Sequence, residues 1–212
     1  MVDSCVSHSN PLILASSSKR RKSLLSQLHL PFIVEESHLD EVIHNKGDVR
    51  NLAIHLATLK AESVRDRYRG KWILGADTLV YISDKIIGKP KDERDALNIL
   101  MELRGREHQV ITGFSIIDPQ GQRAYCEAVV TYVRFKKLSD SEIINYINTG
   151  EPFGKAGAYA IQGIGAFMVK EIRGSYSNVV GLPLAELIDA LLRLRALKSF
   201  PLIKPSLSMD FR

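Results

Sequence analysis

Asp77 closes the apolar run 72–76 and is followed at once by Thr78. A carboxylate leaving a buried strand is a candidate for catalysis, because open α/β sheets put their ligand crevice beyond the strands' carboxyl ends, or else a structural aspartate of a strand-end turn. Lys60 is a second anomaly. Ala53, Leu56, Ala57, Lys60, Ala61 and Val64 recur at helical spacing, which sets the lysine inside an apolar stripe. It either snorkels to the edge of that stripe or meets an anionic partner within it. Ser16, Ser17 and Ser18 then lead into Lys19, Arg20, Arg21 and Lys22 at the start of an expected helix. That end of a helix is partly positive, so each cation there is disfavoured by about 0.3–1 kcal/mol. A bound anion resolves the conflict, since free N–H groups, serine hydroxyls and arginine forks converge on one phosphate; a solvated basic patch is the alternative. Lys89, held in Gly88-Lys89-Pro90, points its ammonium at such an anion or at solvent. Asp40 and Glu41 in a polar loop, with Asp77, are hard oxygen donors suited to Mg²⁺ or Mn²⁺. The six histidines show no ligand spacing.

Positioning these groups falls to alternating apolar and amphipathic segments, which predict an α/β fold with a mixed sheet. Strands are expected over 12–15, 32–35, 72–76 and 79–82, and helices over 19–28, 49–67 and 92–103. The stretches 109–117 and 124–135 flank Asp118-Pro119-Gln120-Gly121 and read as a long antiparallel hairpin, followed by a helix over 141–148. Seven of the 14 glycines fall between Gly150 and Gly181, which predicts ordered loops and short strands. Pro183 starts a last helix with an apolar stripe of Leu184, Leu187, Ile188, Leu191 and Leu192. The expected organisation is a flexible N-terminus over 1–10, a single catalytic domain of two lobes over 11–199 and a tail over 200–212.

With 212 residues and 45% hydrophobic content, the chain is long enough for a core without staples. Two distant cysteines argue against a disulfide framework or zinc site, which fits a reducing cytoplasm, and no segment is expected to span a membrane. The net charge of +5 is scattered except at 19–22, so a compact anion is expected as partner, and nucleic acid is not.

Taken together, these stretches resemble the Maf family of nucleotide pyrophosphatases over about 12–192. Leu14-Ala15-Ser16-Ser17-Ser18-Lys19-Arg20-Arg21 is similar to the family's N-terminal signature, with Lys19 where proline is usual. Lys60-Ala61, Gly75-Ala76-Asp77-Thr78, Gly88-Lys89-Pro90-Lys91 and Thr112-Gly113 match later signatures in order. The segments 151–163 and 178–184 resemble the subfamily that hydrolyses dTTP and UTP, with Gly154 in place of an aspartate. The resemblance implies a Maf-like, ITPase-like mixed twisted sheet in two lobes around a deep cleft, a nucleoside triphosphate substrate, a divalent cation and a homodimer. It makes Asp77 the proton acceptor and ties Arg20, Thr78 and Gln162 to substrate choice. Ser16 and Arg21 join the substrate-binding set, and Glu41, Lys60 and Lys89 match positions associated with metal or phosphate, with Asp77 a second metal ligand beside Glu41. Gln162 carries an amide donor and acceptor side by side, the pair needed to meet O4 and N3–H of uracil or thymine. The alternative is a non-catalytic nucleotide-binding regulator of septum formation or cell division.

Overall fold

The computed structural model describes residues 5–37 and 48–202. Its frame is a seven-stranded mixed sheet built from β1 (Leu12–Ala15), β2 (Phe32–Glu35), β3 (Ile73–Ile82), β4 (Lys85–Ile87), β5 (Glu107–Ile117), β6 (Arg123–Phe135) and β7 (Val169–Arg173). The order is β2-β1-β3-β5-β6-β7, with β4 paired to β3. β1 lies parallel to β2 and β3, while β5 runs antiparallel to β3, β6 to β5 and β7 to β6. The helices are α1 (Lys19–Gln27), α2 (Val49–Arg65), α3 (Glu93–Leu103), α4 (Asp140–Asn148), α5 (Tyr176–Val180) and α6 (Leu184–Arg193).

Strand alternation divides the core. Leu12, Leu14, Leu74, Ala76, Val110 and Phe114 face one side and pack with residues of α1, α3, α4 and α6 in the main cluster. Ile13, Ile73, Leu79 and Ile111 face the other side, where α2 lies across the sheet. The predicted α2 stripe is buried along its whole length, Lys60 included. α2 sits unusually close to the strands. A Cβ on Gly75 would fall 2.1 Å from the carbonyl oxygen of Ala57, and one on Gly113 would fall 2.3 Å from the carbonyl carbon of Ala53. Only glycine at both positions lets the helix backbone rest on β3 and β5.

Two expectations need correction. The strands expected over 72–76 and 79–82 are one strand, because the polar pair Asp77 and Thr78 keeps its extended backbone and pairs with Gly113 and Thr112 on β5. A turn at Ser83 and Asp84 joins β3 to β4: both have positive φ, 48° and 60°, the requirement of a two-residue hairpin. Residues 5–10, expected as part of a flexible end, pack instead: Val6 is buried and its N–H donates to the carbonyl of Ala196 at 2.8 Å. Burial of one apolar side chain and a shared backbone bond tie this segment to the end of α6. No helix of the described residues is long and apolar enough to cross a membrane.

Candidate active site

The cleft begins as a gap in a strand edge. On the side of β3 away from β5, β1 pairs with it from Ile13 and Ile73 only as far as Ala15 and Gly75, and β4 joins it only from Val80. Residues 76–79 lie between those neighbours, so their edge opens into a cavity of about 750 Å³, a size typical of small-molecule sites. Asp77 and Thr78, successive residues, project to opposite faces. Asp77 turns toward α2 and Thr78 toward α1 and α5.

Asp77 is buried, and its Oδ1 accepts from the equally buried ammonium of Lys60. The apolar cover of α2 divides here into two clusters, and the ion pair occupies the division. A buried pair of this kind survives because each charge compensates the other; loss of either partner typically costs about 3–5 kcal/mol.

The wall opposite is the turn from β1 into α1. Ser18 caps the helix and accepts from Arg21 N–H, while Ser16 Oγ accepts from Ser18 N–H at 3.3 Å. No acidic residue stands in the first turn to answer its partial positive charge. Arg20 lines the cavity, and burial pushes its guanidinium below the usual arginine range. Arg21 is committed to the protein: Nε donates to Gly181 O at 2.7 Å, Nη1 to Ser16 Oγ at 3.2 Å and Nη2 to Thr78 Oγ1 at 3.0 Å.

The third wall comes from the glycine-rich segment. Gln162 and Lys89 both line the cavity with exposed side chains. The loop carrying Gln162 is held from behind by Glu151, whose carboxylate accepts from the N–H groups of Ile164 and Gly165 and from Tyr146 Oη, each at 2.9 Å. Burial pushes the Glu151 carboxyl up, but the bonds from Gly165, Ile164 and Tyr146 outweigh it and hold the group below its ordinary value.

Ser16, Arg20, Arg21, Lys60, Asp77, Thr78, Lys89 and Gln162, separated by up to the whole core in sequence, therefore meet around one cavity. Glu41, like Asp40, lies outside the described residues, and among the described residues no three His, Cys, Asp or Glu side chains gather as a metal-ligand set. The oxygens present, Asp77 carboxylate and Ser16 hydroxyl, are of the hard type that suits Mg²⁺ or Mn²⁺, an ion that commonly takes one or two carboxylates and completes its shell with phosphates and water.

Lys155 is the residue that sequence reasoning passed over. Its ammonium donates to the carbonyls of Glu151 and Phe153, and it lines the same cavity. Burial, and then repulsion by the Arg20 guanidinium, push its ammonium below the ordinary lysine value. Two cations brought this close are at odds with each other unless an anion comes between them. No local signal marks this lysine, because its neighbour Arg20 arrives from the first helix. Thr112 and Asn178, both buried behind Thr78, stood in the sequence only as members of family-like segments, with no role of their own.

A family profile described as "Maf-like protein" matches residues 11–194. Proteins named dTTP/UTP pyrophosphatase align along most of their length. The one from Syntrophotalea carbinolica is 47% identical, covering 93% of this chain and 91% of that protein. The one from Ruminiclostridium cellulolyticum is 48% identical, covering 86% and 95%, and the one from Geotalea uraniireducens is 48% identical, covering 88% and 96%. Among solved structures, a dITP/XTP pyrophosphatase from Mycobacterium abscessus superposes with a TM-score of 0.44 at 14% identity, covering 90% of this chain and 99% of that one, a likeness too loose to carry an argument. A match over nearly the whole folded chain, together with relatives this similar at full length, makes the chain a member of the Maf-like protein family.

Proposed function

We propose that this chain is a nucleoside triphosphate pyrophosphatase that hydrolyses dTTP and UTP to the monophosphate and pyrophosphate. The observation that carries the reading is the pairing of one buried carboxylate, Asp77, with a cavity whose walls supply Arg20, Lys60, Lys89 and Lys155. The names of the full-length relatives support the choice of substrate. Residues 11–199 act as a single catalytic domain of two lobes.

In this reading a water gives its proton to Asp77 as its oxygen bonds to the α-phosphorus. The bond from that phosphorus to the bridging oxygen breaks, and pyrophosphate leaves with the electron pair. Asp77 Oδ1 is taken by Lys60, so Oδ2 is assigned to the water. Charge growing on the phosphate oxygens is met by Arg20, Lys89 and Lys155 and by the open turn of α1, groups that are in place before the reaction. A divalent cation fits the oxygen donors of Asp77, with Glu41 as a further ligand, and when bound it neutralises phosphate charge and favours ionised water. Gln162, at the exposed end, reads the pyrimidine edge with its amide. Two cysteines far apart in sequence, with no metal-ligand spacing, support a cytoplasmic enzyme; the homodimer rests on the family resemblance and is tested by light scattering of the purified chain.

The test is pyrophosphate release from UTP, dTTP, CTP, GTP and 7-methyl-GTP with Mg²⁺ or Mn²⁺. Release led by UTP and dTTP supports the reading. No release from any nucleotide would remove it in favour of a binding role.

A further inference from the structure

The hydroxyls behind Asp77 form a chain whose direction is set by counting protons. Thr112 Oγ1 donates to Asn178 O at 3.0 Å, which spends its only hydrogen. The contact between Thr78 Oγ1 and Thr112 Oγ1, also 3.0 Å, must then be a donation from Thr78 to Thr112. Thr78 in turn accepts from Arg21 Nη2. The run is therefore Arg21 to Thr78 to Thr112 to Asn178, with each group used in one sense.

The run also closes on itself. Asn178 belongs to α5, and the carbonyl of Gly181 just beyond that helix accepts from Arg21 Nε at 2.7 Å. α5 is bolted to the sheet independently, because Asn178 Nδ2 donates to Val110 O at 3.1 Å and to Thr131 Oγ1 at 2.9 Å. One arginine thus ties the Ser16 turn, the middle of β3 and the end of α5 into a ring anchored on β5 and β6.

Resting on the function proposed above, we infer that Thr112 and Arg21 are positioning residues: acting through Thr78, they hold the Ser16 turn in register with Asp77. The ring has a second effect on Thr78. With its proton committed to Thr112, the hydroxyl offers the cavity only a lone pair, so it accepts from a ligand N–H or O–H and gives nothing to a phosphate oxygen.

Thr112→Val removes the hydroxyl while keeping the volume. Misplacement of reacting groups by an ångström costs up to about 10²-fold, so kcat for UTP is expected to fall about tenfold with KM changed by no more than about twofold. Thr112→Ser restores it. Arg21→Lys keeps the charge and loses the fork, and is expected to lower kcat at least as far; in that background Thr112→Val adds little, because the ring is already open. Unchanged kcat in Thr112→Val or in Arg21→Lys, or a serine variant as slow as the valine one, overturns the inference. A measurement that needs no turnover separates it from the proposed function: the Arg21 Nε–H resonance, followed by NMR, should exchange about tenfold faster in Thr112→Val than in the wild type. Equal exchange overturns the ring even if the enzyme is active. An inactive wild type with faster exchange in the variant removes the function and keeps the ring.

Discussion

Lys60 on α2 and Asp77 in the middle of β3 face each other through the notch left by Gly75 and Gly113, so their contact is set by how closely two backbones approach. Asp77→Asn leaves the fold's backbone contacts in place and removes the base. Turnover is expected to drop by about 10² to 10⁴, while nucleotide binding, measured by calorimetry, persists. Normal turnover in this variant would exclude Asp77 as the base.

Gly75→Ala tests the notch. The added carbon meets the Ala57 carbonyl and, at 2.7 Å, the Ala61 nitrogen, both backbone atoms of α2 that cannot swing aside. A loss of about 1–3 kcal/mol in urea unfolding is expected, the usual cost of overpacking. Gly88→Ala, which meets nothing within 4 Å, serves as the stability control.

His108 gives the chain an acid limb. It is buried against Phe135 and Tyr159, with Nε2 3.0 Å from Tyr159 Oη, and burial lowers it from 6.5 to about 4. The unfolded chain therefore binds a proton that the folded chain refuses between about pH 6.5 and 4. Stability from this residue is full above pH 6.5 and declines as pH falls toward 4, by about 3 kcal/mol in all. His108→Gln keeps a partner for Tyr159 without titrating, and its melting temperature should depend less steeply on pH across that window. Parallel pH profiles for the two proteins would contradict this account.

Lys155→Met removes one of the two cations that crowd the cavity. Free-enzyme strain with Arg20 is relieved, but the triphosphate loses a charge, so KM for UTP is expected to rise about tenfold, the effect of one charge-assisted hydrogen bond. The increase should shrink with added salt if the interaction is ionic. An unchanged KM would confine Lys155 to holding the Glu151 and Phe153 carbonyls.

Much of this site was legible where periodicity and local charge carry information. The spacing around Lys60 placed it on the buried face of α2, and the misplaced cations at 19–22 drew attention to the turn that walls the cavity. β3 was harder to read because Asp77 and Thr78 interrupt its apolar run, and what sustains the strand comes from elsewhere: Lys60 on one face, Arg21 and Thr112 on the other. Val6 looked like part of a loose end because its partner, Ala196, is at the other end of the chain. Glu151 and Lys155 likewise take their meaning from the loop around Gly165 and from Arg20. Contacts of that range leave no periodic trace.

The gap in the β3 edge gives the cavity a built-in gauge. Four residues, 76–79, separate the end of β1 from the start of β4, which at about 3.3 Å per residue is an opening of roughly 13 Å. Its width is counted in strand residues, so lengthening β1 by one pleat would plug the entrance with main chain, and trimming β4 would widen it at the expense of Ile86 and Ile87, which line the cavity.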